Sequence, residues 1–213
     1  IVFVFSVIPI AQIIISVYGS WQGVTPPGVT VDQSYYFARI NEIKDGYPFM
    51  GNPYIFEYRN SMAPAFFVPD WLAAIPLLLG LSLTATAGFN MVLWPLLLGL
   101  ICYFIFEQLG LKPKESLAAS VLTYLQVYWL MARPVSMQMV FPFFALFTLS
   151  YIMWFRSPLN KKNILFLTLS SAVSFYIYAY LWQIIGIALF LTAIFLIFKK
   201  SWKALLALIF SGV

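Results

Sequence analysis

Six apolar runs constrain this chain more than any other feature: residues 1–18, 90–106, 117–132, 139–155, 164–182 and 184–198, none of which contains a charged residue. Each approaches the ~20 residues that a bilayer core requires. A seventh run, 71–83, is shorter and carries Pro76 and Gly80. At that length it reads as an interfacial or re-entrant helix as readily as a crossing. Charged residues make up only 9% of the chain, against roughly 25% in a soluble domain. Such a chain cannot cover a globular surface with polar side chains, so lipid is the expected solvent. Spanning elements must then be helices, because lipid leaves exposed backbone groups unsatisfied. The runs also lack the alternation of barrel strands.

The expected fold is therefore all-α, a polytopic transmembrane bundle of about six to eight helices. It forms a single transmembrane domain over 1–213, multi-pass in the plasma (cytoplasmic) membrane. The chain opens on Ile1 in mid-run, without an initiator Met, and a new run has only begun at 205–210. It is expected to be a piece of a longer polypeptide, truncated at both ends. Residues 1–18 lack a small-residue cleavage site and read as a first span, not a signal peptide.

There is no histidine and one cysteine, Cys102, which sits in an apolar run. Within these residues no Ser-His or Cys-His nucleophile, His-ligated metal or internal disulfide can be assembled. A general base must be a carboxylate, and any metal would be a divalent cation held by oxygens. No cofactor follows from the residues themselves. The net charge of +5 comes from loop Lys and Arg, as membrane topology requires, and does not point to nucleic acid.

Three short loops are basic: 107–116 with Lys112 and Lys114, 156–163 with Lys161 and Lys162, and 199–203. They alternate with 133–138 and with a tight turn at Trp182-Gln183. The positive-inside rule puts all three on the cytoplasmic face. The side of the long polar loop, 19–70, depends on whether 71–83 crosses. The shortness of that run, and the Pro69-Asp70 that precedes it, favour an external loop; the Lys and Arg count mildly favours the reverse.

The loop has internal order. Pro26-Pro27-Gly28 leads into an amphipathic helix over 32–45, with Tyr36, Ile40 and Ile43 on one face and Ser34, Asn41 and Lys44 opposite. Thr30 or Asp32 caps its start and Gly46 suits its end. Tyr35, Tyr36, Phe37 and Tyr47 are the aromatics expected at a membrane–water boundary.

Five of the seven acids fall in this loop: Asp32, Glu42, Asp45, Glu57 and Asp70. Asp32 is either a helix cap or a carboxylate fixed where a lipid-linked head group would lie. Glu57 and Arg59 form either a surface pair or part of a substrate cleft. Arg133 lies on the face opposite the basic loops, where it either snorkels or binds a phosphate or carboxylate. Gln138 either assists it or anchors the helix end. The segment 175–183, including Tyr178 and Tyr180, is either an interfacial aromatic belt or a wall for a sugar or isoprenoid chain.

With these residues laid out, the chain resembles the GT-C superfamily of membrane glycosyltransferases. Its members include protein O-mannosyltransferases, the aminoarabinose transferase of lipid A and oligosaccharyltransferases. The likeness lies in element order: a first span, a long external loop with membrane-parallel helices and an early acid, then a second external polar loop after the third span. Asp32-Gln-Ser-Tyr-Tyr-Phe-Ala-Arg-Ile matches the acid-led helix start, 71–83 the later loop helix, and 133–138 the second loop. Many relatives carry an acid in that second loop, where this chain has Arg133, Ser136 and Gln138.

The resemblance implies transfer of a sugar from a polyprenyl-phosphate donor to an acceptor on the external face. Asp32 would be the general base, and Arg133, with Arg59, would hold the donor phosphate. Two other classes stand beside it: a transporter or facilitator of a small neutral solute, and a non-catalytic membrane subunit. Ion-coupled transporters need ionisable groups within the membrane, and the six runs have none. Long ordered loops, in turn, are commonly functional.

Overall fold

The computed structural model describes Val4, Val7, Ala11 and Ile15 (all helical), then residues 33–49, 51, 55–58, 61, 66–131 and 135–212. Among the described residues all regular structure is helical. In chain order the helices are α1 (Gln33–Lys44), α2 (Val68–Leu78), α3 (Leu83–Gln108), α4 (Pro113–Met131), α5 (Ser136–Arg156), α6 (Lys161–Phe175), α7 (Ala179–Phe198) and α8 (Trp202–Gly212), with a single 3-10 turn at Phe56–Tyr58.

Among the described residues three stretches are long and apolar enough to cross a membrane: Leu83–Gln108, Met137–Arg156 and Ala179–Phe198. The 26 residues of α3 give about 39 Å of helix, more than the ~30 Å hydrocarbon core. Their outward faces are apolar: Leu100, Phe104, Ile187, Phe190, Leu191 and Phe198 are all exposed. A soluble surface does not tolerate such a band. Residues 117–131 of the fourth apolar run lie within α4. The run 164–182, expected as one element ending at Trp182-Gln183, is instead broken earlier. Helix α6 stops after 15 residues at Phe175, and Trp182 belongs to α7. The break is tertiary in origin. Ile177 is fully buried, while Tyr176 packs on Phe67 and Tyr178 on Phe66, so the chain turns to seat three side chains on partners that local sequence does not reveal.

Helix α2 begins three residues earlier than the apolar run and ends five residues sooner. Pro69 and Asp70, read from sequence as preceding the apolar run, lie in the first turn of α2. A proline there forfeits no hydrogen bond, and an acid complements the helix dipole. At the other end Gly80 takes φ +98°, and the Leu81 N–H returns to the Pro76 carbonyl while the Gly80 N–H returns to that of Leu77. This crossed pair of bonds stops the helix and needs a left-handed residue after it. Gly110 ends α3 in the same way, at φ +94°. Eleven residues give about 16 Å of helix, roughly half of what a crossing needs. Ser82 then caps α3, its Oγ accepting from the Ala85 N–H at 3.2 Å.

The core forms where α3 packs on α4 and α5, α5 on α6, and α6 on α8. Trp94 meets Phe143 at 6.0 Å between ring centroids, and Trp154 is almost wholly buried. The helices alternate in direction. Arg156 at the end of α5 donates to Gln108 at the end of α3, at 3.2 Å. Asn163 at the start of α6 donates to the Met153 carbonyl, and Phe155 meets Phe195 near the end of α7. The three basic loops therefore share one end of the bundle. Helices α1 and α2 pack together, and α2 lies against α3 towards the opposite end.

Candidate functional site at the α1–α2 end of the bundle

Helix α1 carries the amphipathic face expected of it, with Ile40 and Ile43 buried and Ser34 and Lys44 exposed. That face includes a charge as well. Arg39 is buried beside Ile40 and reaches Asp70 in the first turn of α2. Its Nε donates to Asp70 Oδ2 at 3.0 Å and its Nη2 lies 2.8 Å from the same oxygen. Its Nη1 donates to the Tyr35 hydroxyl at 2.9 Å, and the guanidinium lies 5.4 Å from the Tyr35 ring centroid. Asp70 Oδ1 is buried without a hydrogen-bond partner.

Burial pushes the Asp70 carboxyl above the usual carboxylate range, and Arg39 offsets part of that rise. Burial acts on Arg39 in the opposite sense, but the Asp70 carboxylate and the Tyr35 hydroxyl outweigh it and hold the guanidinium above its usual value. These two directions pull against each other. The ion pair prevails, because a guanidinium does not give up its proton and would otherwise be buried alone.

A second polar brace joins α2 to α3. Asn90 is buried, and its Nδ2 donates to the Ala73 and Thr86 carbonyls, both at 3.0 Å. Its Oδ1 accepts from Trp94 Nε1 at 3.0 Å. Trp71 Nε1 donates to the Pro48 carbonyl, which ties the segment after α1 to α2. The α1–α2 pair is thus fixed to the bundle by directional bonds as well as by apolar contact.

Of the residues singled out from sequence, Asp32, Arg59 and Arg133 lie outside the described residues, Asp32 directly before the first residue of α1. Glu57 stands exposed in the 3-10 turn. Gln138 lies in the first turn of α5 and is only 1% exposed, and its Nε2 has no hydrogen-bond partner. Tyr178 and Tyr180 meet edge-on at 5.5 Å beside the start of α7, with Tyr178 also against Phe66 and Tyr180 largely exposed. The structure therefore brings the two tyrosines together and joins them to the segment leading into α2; Glu57 stands apart.

Sequence reasoning missed Arg39, Asp70 and Asn90 as a connected set. One signal was present: Arg39 falls three residues after Tyr36 and one before Ile40, on the apolar face. An arginine there requires a buried counter-charge. Among the described residues no three Asp, Glu, His or Cys side chains gather as metal ligands. The chain matches no family model, no curated protein and no solved structure. Fold and site together define a class: among the described residues, a helical fold with three helices long and apolar enough to cross a membrane and a pair of shorter helices joined by a buried ion pair.

Proposed function

We propose that the chain is a multi-pass membrane glycosyltransferase that moves a sugar from a polyprenyl-phosphate donor to an acceptor on the external face. The observation that carries this reading is Gln138. Its amide nitrogen is buried and unpartnered in the first turn of α5, five residues after Arg133. A buried donor with no partner costs about 1–3 kcal/mol, which a ligand acceptor would relieve. The α1–α2 pair supports the reading too, because α1 begins directly after Asp32 and packs on α2, which lies towards the end opposite the basic loops. By the positive-inside rule that end is external.

In this mechanism Asp32 takes the proton of the acceptor hydroxyl or amide as its heteroatom bonds to the anomeric carbon. The bond from that carbon to the phosphate oxygen breaks, and polyprenyl phosphate leaves with the electron pair. Arg133, with Arg59, neutralises charge on the departing phosphate, while Gln138 donates to one of its oxygens. Tyr178 and Tyr180 flank the sugar or the first isoprene units. A bound divalent cation would take Asp32 as its carboxylate ligand and would supply charge neutralisation to the donor phosphate.

The test is turnover of labelled polyprenyl-phosphate sugars by protein reconstituted in lipid nanodiscs with a membrane extract as acceptor source. Wild-type protein should transfer label, and Asp32→Asn should not, although Asn caps a helix as well as Asp does. No transfer from any donor, together with solute uptake by proteoliposomes, would replace this reading with a facilitator.

A further inference from the structure

The three loops that share one end of the bundle hold eight of the chain's twelve Lys and Arg residues and only two acids, Glu107 and Glu115. Both acids are engaged locally. Glu107 accepts from the Tyr103 hydroxyl at 2.7 Å, and Glu115 from the Lys112 backbone N–H at 3.0 Å. All eight cations are exposed, and among the described residues none of them forms an ion pair. Membrane topology asks only for an excess of positive charge on this side. The placement of individual lysines asks for more.

Helices α1, α2, α3 and α7 all end in the same crossed pair of bonds; in α7 the Ser201 N–H returns to the Leu196 carbonyl and the Lys200 N–H to that of Ile197. The left-handed residue is Gly46, Gly80 and Gly110 in the first three, but Lys200, at φ +54°, in the fourth. Glycine takes that conformation without the Cβ clash that lysine incurs, so the turn alone would favour glycine. Lys114, Lys161, Lys162 and Lys203 stand in the first turns of α4, α6 and α8, where the helix field favours an anion over a cation. Three helix N-termini and eight side chains thus add to one positive face. Each loop also exposes apolar side chains beside its cations: Leu109, Leu159, and Phe198 with Trp202. Helix α3, about 39 Å long, exceeds the ~30 Å hydrocarbon core, so its end stands in the head-group layer. A soluble acidic partner would meet the cations and leave those apolar side chains in water. A phospholipid of the surrounding leaflet meets both, with phosphate at the lysines and chains along the apolar groups.

We propose that this face binds the head groups of anionic phospholipids, with Lys199, Lys200 and Lys203 of the α7–α8 loop at its centre and Phe198 and Trp202 seated among the first chain carbons. The proposal does not depend on the glycosyltransferase reading.

Immobilised protein in detergent is given equal amounts of radiolabelled phosphatidylglycerol and phosphatidylcholine with the same chains, and the retained lipid is counted. Phosphatidylglycerol should be preferred about tenfold at low salt, the work of two or three lysines. The ratio should fall towards one at about 1 M salt, where charges are screened within about 3 Å. Lys199→Gln/Lys203→Gln should cut the preference about fivefold. Lys200→Gly is the sharper variant. It should cut the preference about two- to fivefold while the melting temperature holds or rises, because glycine suits the turn. An unchanged ratio in Lys200→Gly overturns the role given to that lysine. Equal retention of the two lipids by wild type, or a ratio indifferent to salt, overturns the proposal. So does displacement of phosphatidylglycerol by glycerol phosphate, a polyglutamate peptide or an RNA oligonucleotide at equal charge, which would make the face a site for soluble anions.

Discussion

Arg39 Nη2 lies 2.8 Å from Asp70 Oδ2, across 31 residues of chain, with both side chains less than 5% exposed. This contact joins two helices, neither long enough to span a membrane. A buried pair of this kind contributes little net stability, yet breaking it is costly because one charge is left alone. Asp70→Ala should therefore destabilise the protein by about 3–5 kcal/mol. The double variant Arg39→Met/Asp70→Leu should recover most of that loss. Thermal unfolding in detergent reads both, and equal melting of Asp70→Ala and the double variant would show that the pair is not coupled.

Asn90 makes three hydrogen bonds that tie α2 to α3 through Ala73 and orient Trp94. Asn90→Leu keeps the volume and removes all three, leaving the Trp94 N–H buried without its acceptor. A loss of about 2–3 kcal/mol is expected. Hydrogen exchange should rise in α2 before it rises in α5, and uniform loss of protection across the bundle would argue against a local brace.

Gln138 separates stability from binding. Its unpartnered amide predicts that Gln138→Leu leaves the melting temperature unchanged or raises it. The same variant should weaken polyprenyl-phosphate binding about threefold to tenfold, the worth of one hydrogen bond. A drop in melting temperature with unaltered affinity would make Gln138 a structural residue.

Arg133→Ala should weaken donor binding more than Arg133→Lys, because lysine keeps the charge and loses the two-pronged geometry. The expected loss in the alanine variant is about 1.5–3 kcal/mol, roughly ten- to a hundredfold in affinity. Isothermal titration with polyprenyl phosphate measures it, and wild-type affinity in Arg133→Ala would remove the residue from the site.

Orientation is open to direct chemistry. In a Cys102→Ser background, Ser34→Cys should react with an impermeant maleimide added to intact cells, since Ser34 is exposed on α1. Lys161→Cys, in a basic loop at the other end, should react only after permeabilisation. The opposite pattern would make the α1–α2 pair cytoplasmic, and a donor presented on the external face would not reach Asp32.

The sequence alone pointed to helices with lipid as their expected solvent, and among the described residues all regular structure is helical, with three helices long and apolar enough to cross a membrane. Its charge-free runs permit nothing else, because lipid cannot hydrate exposed backbone. It determined the amphipathic helix after Asp32 too, since the spacing of Tyr36, Ile40 and Ile43 is a local property. The shortness of α2 was legible in part: the apolar run was already too brief, though its start at Val68, with Pro69 and Asp70 in the first turn, was not foreseen. Tertiary structure alone decided the rest. Arg39 and Asp70 are ordinary loop charges until two helices bring them to 2.8 Å. The α6–α7 turn falls at residues 176–178 because Ile177 is buried and its tyrosine neighbours pack on Phe66 and Phe67. Periodicity records which side of a helix prefers to be buried, but the partner on that side is chosen by contacts between residues distant in the chain.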